Sequence, residues 1–291
     1  MPVTPFGTIW RQRGWCRVLQ PRDDGWRVSD ALWERIRPLL PPRRAHPLGC
    51  HRPRVPDRAA MDAILFVLRS GCQWAALSQT GLCSKSSAYR RFREWGRAGV
   101  FERLWHDLLS DPDTAVDWAW LALDGQMVKA PKGGEAAGPN PTDRAKKGTK
   151  RSLLTDATGL PLAVVIDGAN RHDSALLLPT LDALIAAPPD GSRPGLCLDR
   201  GYDYPWVRPY LTELGYRPHV RGRHDETRAR RRGARARRWV VEATFAWLVL
   251  FRRLKISYER LHATRRAFLE LACALIVWRA THPVTRAEAA Y

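Results

Sequence analysis

The sequence predicts an α/β protein: a mixed sheet flanked by helices, preceded by a small all-α, helix-turn-helix-like region. Three observations carry this. Apolar residues recur at helical spacing through the first third of the chain. From Asp117 onward, short apolar runs that stop at turn residues alternate with helical segments, as strands and helices of one sheet would. The charge also changes character at the same place. Residues 1–110 carry 19 basic and 9 acidic side chains, residues 111–220 carry 12 and 14, and residues 221–266 carry 15 and 4. The expected organisation is an irregular leader over 1–27, a helical region over 28–110 and an α/β region over 111–291.

The elements follow in order. Residues 1–27 lack apolar periodicity and are broken by Pro2, Pro5, Gly7, Gly14, Pro21 and Gly25, so they read as a leader, even as an over-long start. Ser29-Asp30 can cap a helix carrying Leu32, Trp33, Ile36, Leu39 and Leu40, which Pro41-Pro42 stops. Arg43 to Arg58 is Pro-rich and basic, an extended arm. Asp57 can cap a second helix with Met61, Ile64, Leu65, Val67 and Leu68, ended by Gly71. A third starts near Ser84 or Ser86 and sets Ala88, Tyr89, Phe92 and Trp95 on one face, with Arg90, Arg91, Arg93 and Arg97 around the rest. A fourth runs from Val100 to Leu109. An Arg-rich helix after a Gly-containing turn suits a DNA groove, and equally a solvated face.

Beyond Asp111-Pro112-Asp113, Trp118 to Leu123 reads as a buried strand ending at Asp124-Gly125. Lys132 to Lys150 reads as a loop. Arg151 to Asp156 and Leu160 to Asp167 are two strands joined at Ala157-Thr158-Gly159. Asp173 can cap a helix through Ile185. Leu196 to Leu198 is a strand ending at Asp199, Tyr204 to Leu214 a helix and Tyr216 to Val220 a strand. A basic loop over Arg221 to Arg237 precedes a long helix from Arg238 to Leu254, and an apolar helix spans Ala267 to Arg279. Strand, strand, strand, helix, strand, helix, strand, helix is the ribonuclease H-like order.

Composition bounds the function. The 291 residues hold 48 Lys plus Arg against 29 Asp plus Glu, a formal charge of +19, which points to a polyanionic partner. No apolar run is long enough to span a bilayer, and nothing near Met1 has the apolar centre of a signal peptide. The six cysteines form no CxxC pair, so the expected setting is reducing and intracellular. Two basic blocks flank the acid-rich middle, as if phosphates were gripped around a site that needs negative charge.

That site rests on Asp124 at the end of the first strand, Asp199 at the end of the fourth, and Glu242 in the first turns of the late helix. First and fourth strands are neighbours in this order, and the late helix packs over their edge. Three converging carboxylates repel one another without cations. Oxygen-only ligation suits Mg²⁺ or Mn²⁺, and a pair of such ions suits in-line phosphodiester displacement.

These residues resemble bacterial insertion-sequence transposases of the DDE type, in the group of insertion sequences four and five, and within it the subgroup with a short N-terminal helical domain. The likeness covers residues 28–280. Its N-terminal part lies in Leu32-Trp33 through Pro41-Pro42, Arg52-Pro53-Arg54-Val55, Gly71-Cys72-Gln73-Trp74 and Tyr89-Arg90-Arg91-Phe92-Arg93-Glu94-Trp95. Its catalytic part lies in Leu123-Asp124-Gly125, Gly138-Pro139-Asn140-Pro141 with Asp143-Arg144, Gly168 to Asp173, Asp199-Arg200-Gly201-Tyr202-Asp203, and Arg238-Trp239-Val240-Val241-Glu242 with Thr244 to Leu248. The resemblance implies a catalytic and metal-binding triad of Asp124, Asp199 and Glu242, with two Mg²⁺ ions for which Mn²⁺ can substitute. It implies DNA contacts by Arg52, Arg54, Arg90, Arg91, Arg93 and Arg238.

It further implies a cytoplasmic, nucleoid-associated enzyme that binds terminal inverted repeats and target DNA, cuts, transfers strands, and works as a homodimer or larger. The rivals are a ribonuclease H-like nuclease or resolvase without strand transfer, and a catalytically silent DNA-binding derivative.

The family pattern places a Tyr seven residues before the Glu and a Lys or Arg seven or eight after. Here those positions hold Arg235, Val249 and Leu250. At ~100° per residue, Arg253 falls on the face of Glu242 and is expected to take over the phosphate contact; the alternative is that this copy is weakened. About 17 residues separate the fifth strand from the catalytic helix, too few for the large β-insertion of some relatives. His172-Asp173 could be an acid/base unit but reads better as a turn and helix cap. His106 and His262 read as structural, Cys50-His51 lacks companions for zinc, and Trp247 is expected to face near the site.

Overall fold

The computed structural model describes residues 26–42, 54–220 and 238–282. The leader to residue 25, the arm over 43–53 with Arg52 and Cys50-His51, and the basic stretch 221–237 lie outside the described residues.

The four N-terminal helices form where capping chemistry places them. In α1 (Asp30–Ile36) the Ser29 hydroxyl accepts the Leu32 amide at 3.3 Å, and Leu32 and Ile36 are buried. Helix α2 (Asp57–Ser70) begins one residue earlier than expected, with Pro56 at the cap position. Asp57 is thereby released to pair with Arg54 at 3.0 Å and Arg91 at 3.2 Å. Gly71 ends α2 at φ +69°, and a Cβ there would lie 3.0 Å from the backbone of Arg252, so both the left-handed turn and the close approach need glycine. Ser84 caps α3 (Lys85–Arg97) through the Ser87 amide, and Gly99 at φ +67° turns the chain into α4 (Val100–Leu109).

The sheet contains β1 (Trp120–Lys129), β2 (Gly138–Pro139), β3 (Lys147–Thr155), β4 (Pro161–Gly168), β5 (Gly195–Leu198) and β6 (Arg217–Val220). β3 is antiparallel to β1 and to β4, whereas β5 is parallel to both β1 and β6. The short β2, in the segment expected to be a loop, extends the β3 edge. The resulting order, β4-β3-β1-β5-β6, is ribonuclease H-like. β1 runs six residues past Leu123, because Asp124 to Lys129 continue the antiparallel ladder with Leu153 to Gly148. Asp124 therefore sits inside a strand. His172, not Asp173, caps α5 (Asp173–Asp182), and α6 spans Val207–Glu213.

The expected long helix is two. α7 (Trp239–Leu250) stops at Phe251, whose ψ of 93° is extended, and α8 (Arg252–Lys255) restarts in another direction. The break lets Phe251 and Leu254 both reach the core. Helix α9 (His262–Thr281) is longer than expected at both ends. It packs against α3, α4 and β4, so one continuous core joins the N-terminal helices to the sheet. At its centre the Phe92 and Phe268 rings lie 4.1 Å apart.

Glu270 is the buried acid of α9. It is 4% exposed and pairs with Arg266 at 2.5 Å. Burial pushes its carboxyl up to about 7; Arg266 opposes the shift and the charge of Glu102 adds to it. The folded value lies above the unfolded one, so the folded state retains a proton that the unfolded chain releases. That contribution is complete below pH ~4.5 and is lost as pH rises through about 7. Glu270→Gln should therefore flatten the decline in melting temperature between pH 5 and 8. At pH 8 it should stabilise the protein by roughly 1–2 kcal/mol, as thermal unfolding across that range would show.

Candidate active site

Register builds the site. β1 and β5 pair as Trp120 with Gly195, Leu121 with Leu196 and Ala122 with Cys197. Asp124 and Asp199 each lie two residues beyond the last pair, so parallel pairing sets them at one level and, with a period of two, on one face. Each carboxylate is then aimed by its own following turn. Asp124 Oδ1 accepts the Gly125 amide at 2.7 Å, and Asp199 Oδ1 accepts the Gly201 amide at 2.7 Å. The other two oxygens point to one place, where Arg238 Nη1 stands 4.0 Å from Asp124 Oδ2 and 3.9 Å from Asp199 Oδ2.

Arg238 occupies the cap position of α7 and Glu242 lies one turn along, its amide donating to the Arg238 carbonyl at 3.4 Å. Glu242 is exposed, and among the described residues no three carboxylates converge at metal-binding spacing. The structure thus brings Asp124 and Asp199 together and sets Glu242 on the adjoining helix, outside their cluster. Burial pushes the Asp124 carboxyl up to about 6; the Gly125 amide and Arg238 oppose this, and the charges of Asp199 and Asp173 add to it.

The donor set suits a hard divalent cation. Two carboxylates have one oxygen each fixed by backbone and the other turned to a common point that already attracts positive charge.

Behind this face lie residues that sequence reasoning had read differently or passed over. Asp173 caps nothing. Its carboxylate takes the Lys150 ammonium at 3.0 Å and rests on Gly125, where a Cβ would come within 2.2 Å of it. Lys150 is 6% exposed inside β3, at the last position of the segment expected to be a loop, so no sequence signal marked it. His172 caps α5, with Nδ1 2.9 Å from Ser174 Oγ and its ring edge-on to Tyr204. The Tyr202 hydroxyl is buried beside Asp173, Asp124 and Asp199, and desolvation above all pushes it up.

The basic residues divide. Arg90 is exposed, and Arg93 is half-buried over the Tyr89 ring. Arg54 pairs with Asp57, and Arg91 is buried between Asp57 and Glu94, tying α3 to α2. Arg253 corrects the helical extrapolation. It lies beyond the Phe251 break, is 8% exposed, pairs with Glu259 at 2.5 Å and donates to the Cys72 carbonyl at 3.1 Å. Trp247 turns away from the carboxylates; its ring packs on Gly159 and lines an apolar cavity with Leu250, Phe251 and Ile276. His106 is exposed on α4, and His262 begins α9.

The family model described as "Transposase DDE domain" matches residues 120–277, and the one described as "Putative transposase of IS4/5 family" matches residues 28–105. The chain belongs to the DDE transposase family. It is 44% identical over 164 residues to the "Putative transposase for insertion sequence element IS402" of Burkholderia cepacia, a match covering 54% of this chain and 73% of that one. It is 38% identical over 120 residues to an uncharacterized 16.2 kDa protein of the same insertion element, covering 39% and 80%. Among solved structures, the Mos1 strand transfer complex aligns over 81% of each chain at 13% identity with a TM-score of 0.27.

DDE transposases are DNA endonucleases and strand transferases that work with divalent metal ions. No described helix of this transposase is long and apolar enough to cross a membrane.

Gly201→Ala tests the aim of Asp199, since a Cβ there would lie 2.9 Å from Asp199 Oδ1. We expect DNA cleavage to fall about 100-fold, on the scale of a misplaced catalytic group, with the melting temperature and DNA affinity little changed. Cleavage at the native rate would show that this turn does not set the carboxylate.

Proposed function

We propose that this transposase recognises the terminal inverted repeats of its own element, hydrolyses a phosphodiester there to leave a 3′-hydroxyl, and joins that hydroxyl to target DNA. The supporting observation is the convergence of Asp124 Oδ2 and Asp199 Oδ2 on one cation position at the level set by β1 and β5.

Asp124 and Asp199 would hold the first divalent ion, Mg²⁺ in this reading with Mn²⁺ as substitute, and Glu242 would reach in from α7 to complete a second. Such ions activate an attacking oxygen and stabilise a leaving one. The chain's own residues bind and orient. Arg238 is placed to hold a DNA phosphate next to the carboxylates. Residues 28–110, with Arg90 exposed and Arg93 half-buried on α3, serve as the end-binding region, and the basic residues of 221–237, which precede α7 in the sequence, add charge. Arg91 and Arg253, both buried in ion pairs, hold the scaffold. Two ends must be held for joining, so a homodimer or larger assembly on DNA belongs to the same proposal.

The test is a cleavage and strand-transfer assay with Mg²⁺ on duplexes carrying the repeats that flank the gene. The native protein should yield both nicked and joined products. Asp199→Asn should lose both by at least ~10³-fold while binding DNA normally, as expected when a transition-state interaction is removed. Cleaved but never joined product would favour a nuclease without strand transfer, and equal product from both proteins would overturn the site.

A further inference from the structure

Arg238 faces the two carboxylate oxygens that a metal ion would have to use. Its Nη1 lies within 4.0 Å of one oxygen of Asp124 and one of Asp199, while the partner oxygen of each carboxylate is already engaged by a backbone amide. The side chain is 20% exposed. A guanidinium cannot shed its proton to make way, because it stays charged throughout the working range. It also cannot share two lone-pair sites with a divalent ion, since the cations repel at that separation. A metal must therefore displace it. Arg238 begins α7, so its side chain can swing about the helix end without unfolding a turn. The anion suited to receive it is a phosphate, which matches its planar fork of donors.

We propose that Arg238 is the internal competitor of the metal ion in the DNA-free protein, and that a DNA phosphate draws it off, so that DNA and metal bind cooperatively. This rests on the reading that Asp124 and Asp199 hold the metal. Coupling of this kind is reciprocal: DNA tightens metal binding by the factor by which metal tightens DNA binding. The consequence is an enzyme whose metal site fills when its substrate is in place.

The experiment measures Mn²⁺ affinity of the full chain from the electron paramagnetic resonance signal of free Mn²⁺. It is made with and without a duplex carrying the flanking repeat, and with the Mn²⁺ held by that duplex alone subtracted. The native protein should bind Mn²⁺ about tenfold tighter with the duplex, within the usual range of coupling. Arg238→Gln without DNA should bind as tightly as the native protein with DNA, and the duplex should add nothing further. Arg238→Lys, which keeps a cation on a differently shaped side chain, should retain part of the coupling.

Weaker or equal Mn²⁺ binding by Arg238→Gln in the absence of DNA would overturn the competition, as would undiminished coupling in that variant. Asp199→Asn separates the two layers. Native Mn²⁺ affinity in that variant would mean that the metal site itself is misassigned. Lost affinity in Asp199→Asn together with no gain in Arg238→Gln would leave the site standing and remove only the competition.

Discussion

The parallel pairing of β1 with β5 is the constraint on which the rest depends. These strands are separated in sequence by three further strands, a helix and their connections, yet their register places Asp124 and Asp199 at the same height. A one-residue slip would turn one carboxylate to the opposite face of the sheet. The register is held from both sides. β3 pairs with β1 from Ala122 to Lys129, and β6 pairs with β5 along its whole length. The buried row Leu121, Ala122 and Leu123 beside Leu196, Cys197 and Leu198 gives the pair an apolar interior on both faces, which suits a central parallel strand.

Register alone sets height; the glycines set direction. An Asp followed closely by Gly can fold its own carboxylate onto a backbone amide, and both acids do so, at Gly125 and Gly201. One oxygen of each is thereby spent on positioning, and the other is presented outward. Gly125 has a second duty. Its bare Cα lets the Lys150–Asp173 pair close against the back of β1, so a charge pair supports the strand that carries the first acid. Near two carboxylates, a neutralised third one behind the strand adds less repulsion than a lone acid would. Burial above all raises the Asp124 carboxyl, the remaining repulsion from Asp199 and Asp173 adds to it, and Arg238 opposes the shift from in front.

Much of this was legible in the sequence where local chemistry decides the outcome. Ser29, Gly71, Ser84 and the Val100 to Leu109 periodicity gave helix limits that the structure matches within about a turn. The short apolar runs before Asp124 and Asp199 gave the two central strands, and the element order gave their adjacency. What stayed hidden depends on distant packing. The break at Phe251 follows from the need to bury Phe251 and Leu254 together, which no helical wheel contains, so the projection that placed Arg253 beside Glu242 failed with it. Arg91 and Arg253 look like groove-reading arginines by residue type. Only their partners, Asp57 with Glu94 and Glu259, reveal them as internal ties. The swap of cap between His172 and Asp173 at the start of α5 goes with Lys150 of β3 reaching the Asp173 carboxylate.

The central claim is that one cation position is defined jointly by Asp124 and Asp199. Substituting Fe²⁺ for the native ion and adding ascorbate and peroxide generates radicals that cut the nearest backbone. Mass spectrometry then locates the cuts. The account predicts cleavage next to Asp124 and next to Asp199 in the same molecules, both suppressed by excess Mg²⁺. Cuts confined to one of these strands, or centred elsewhere in the chain, would contradict it.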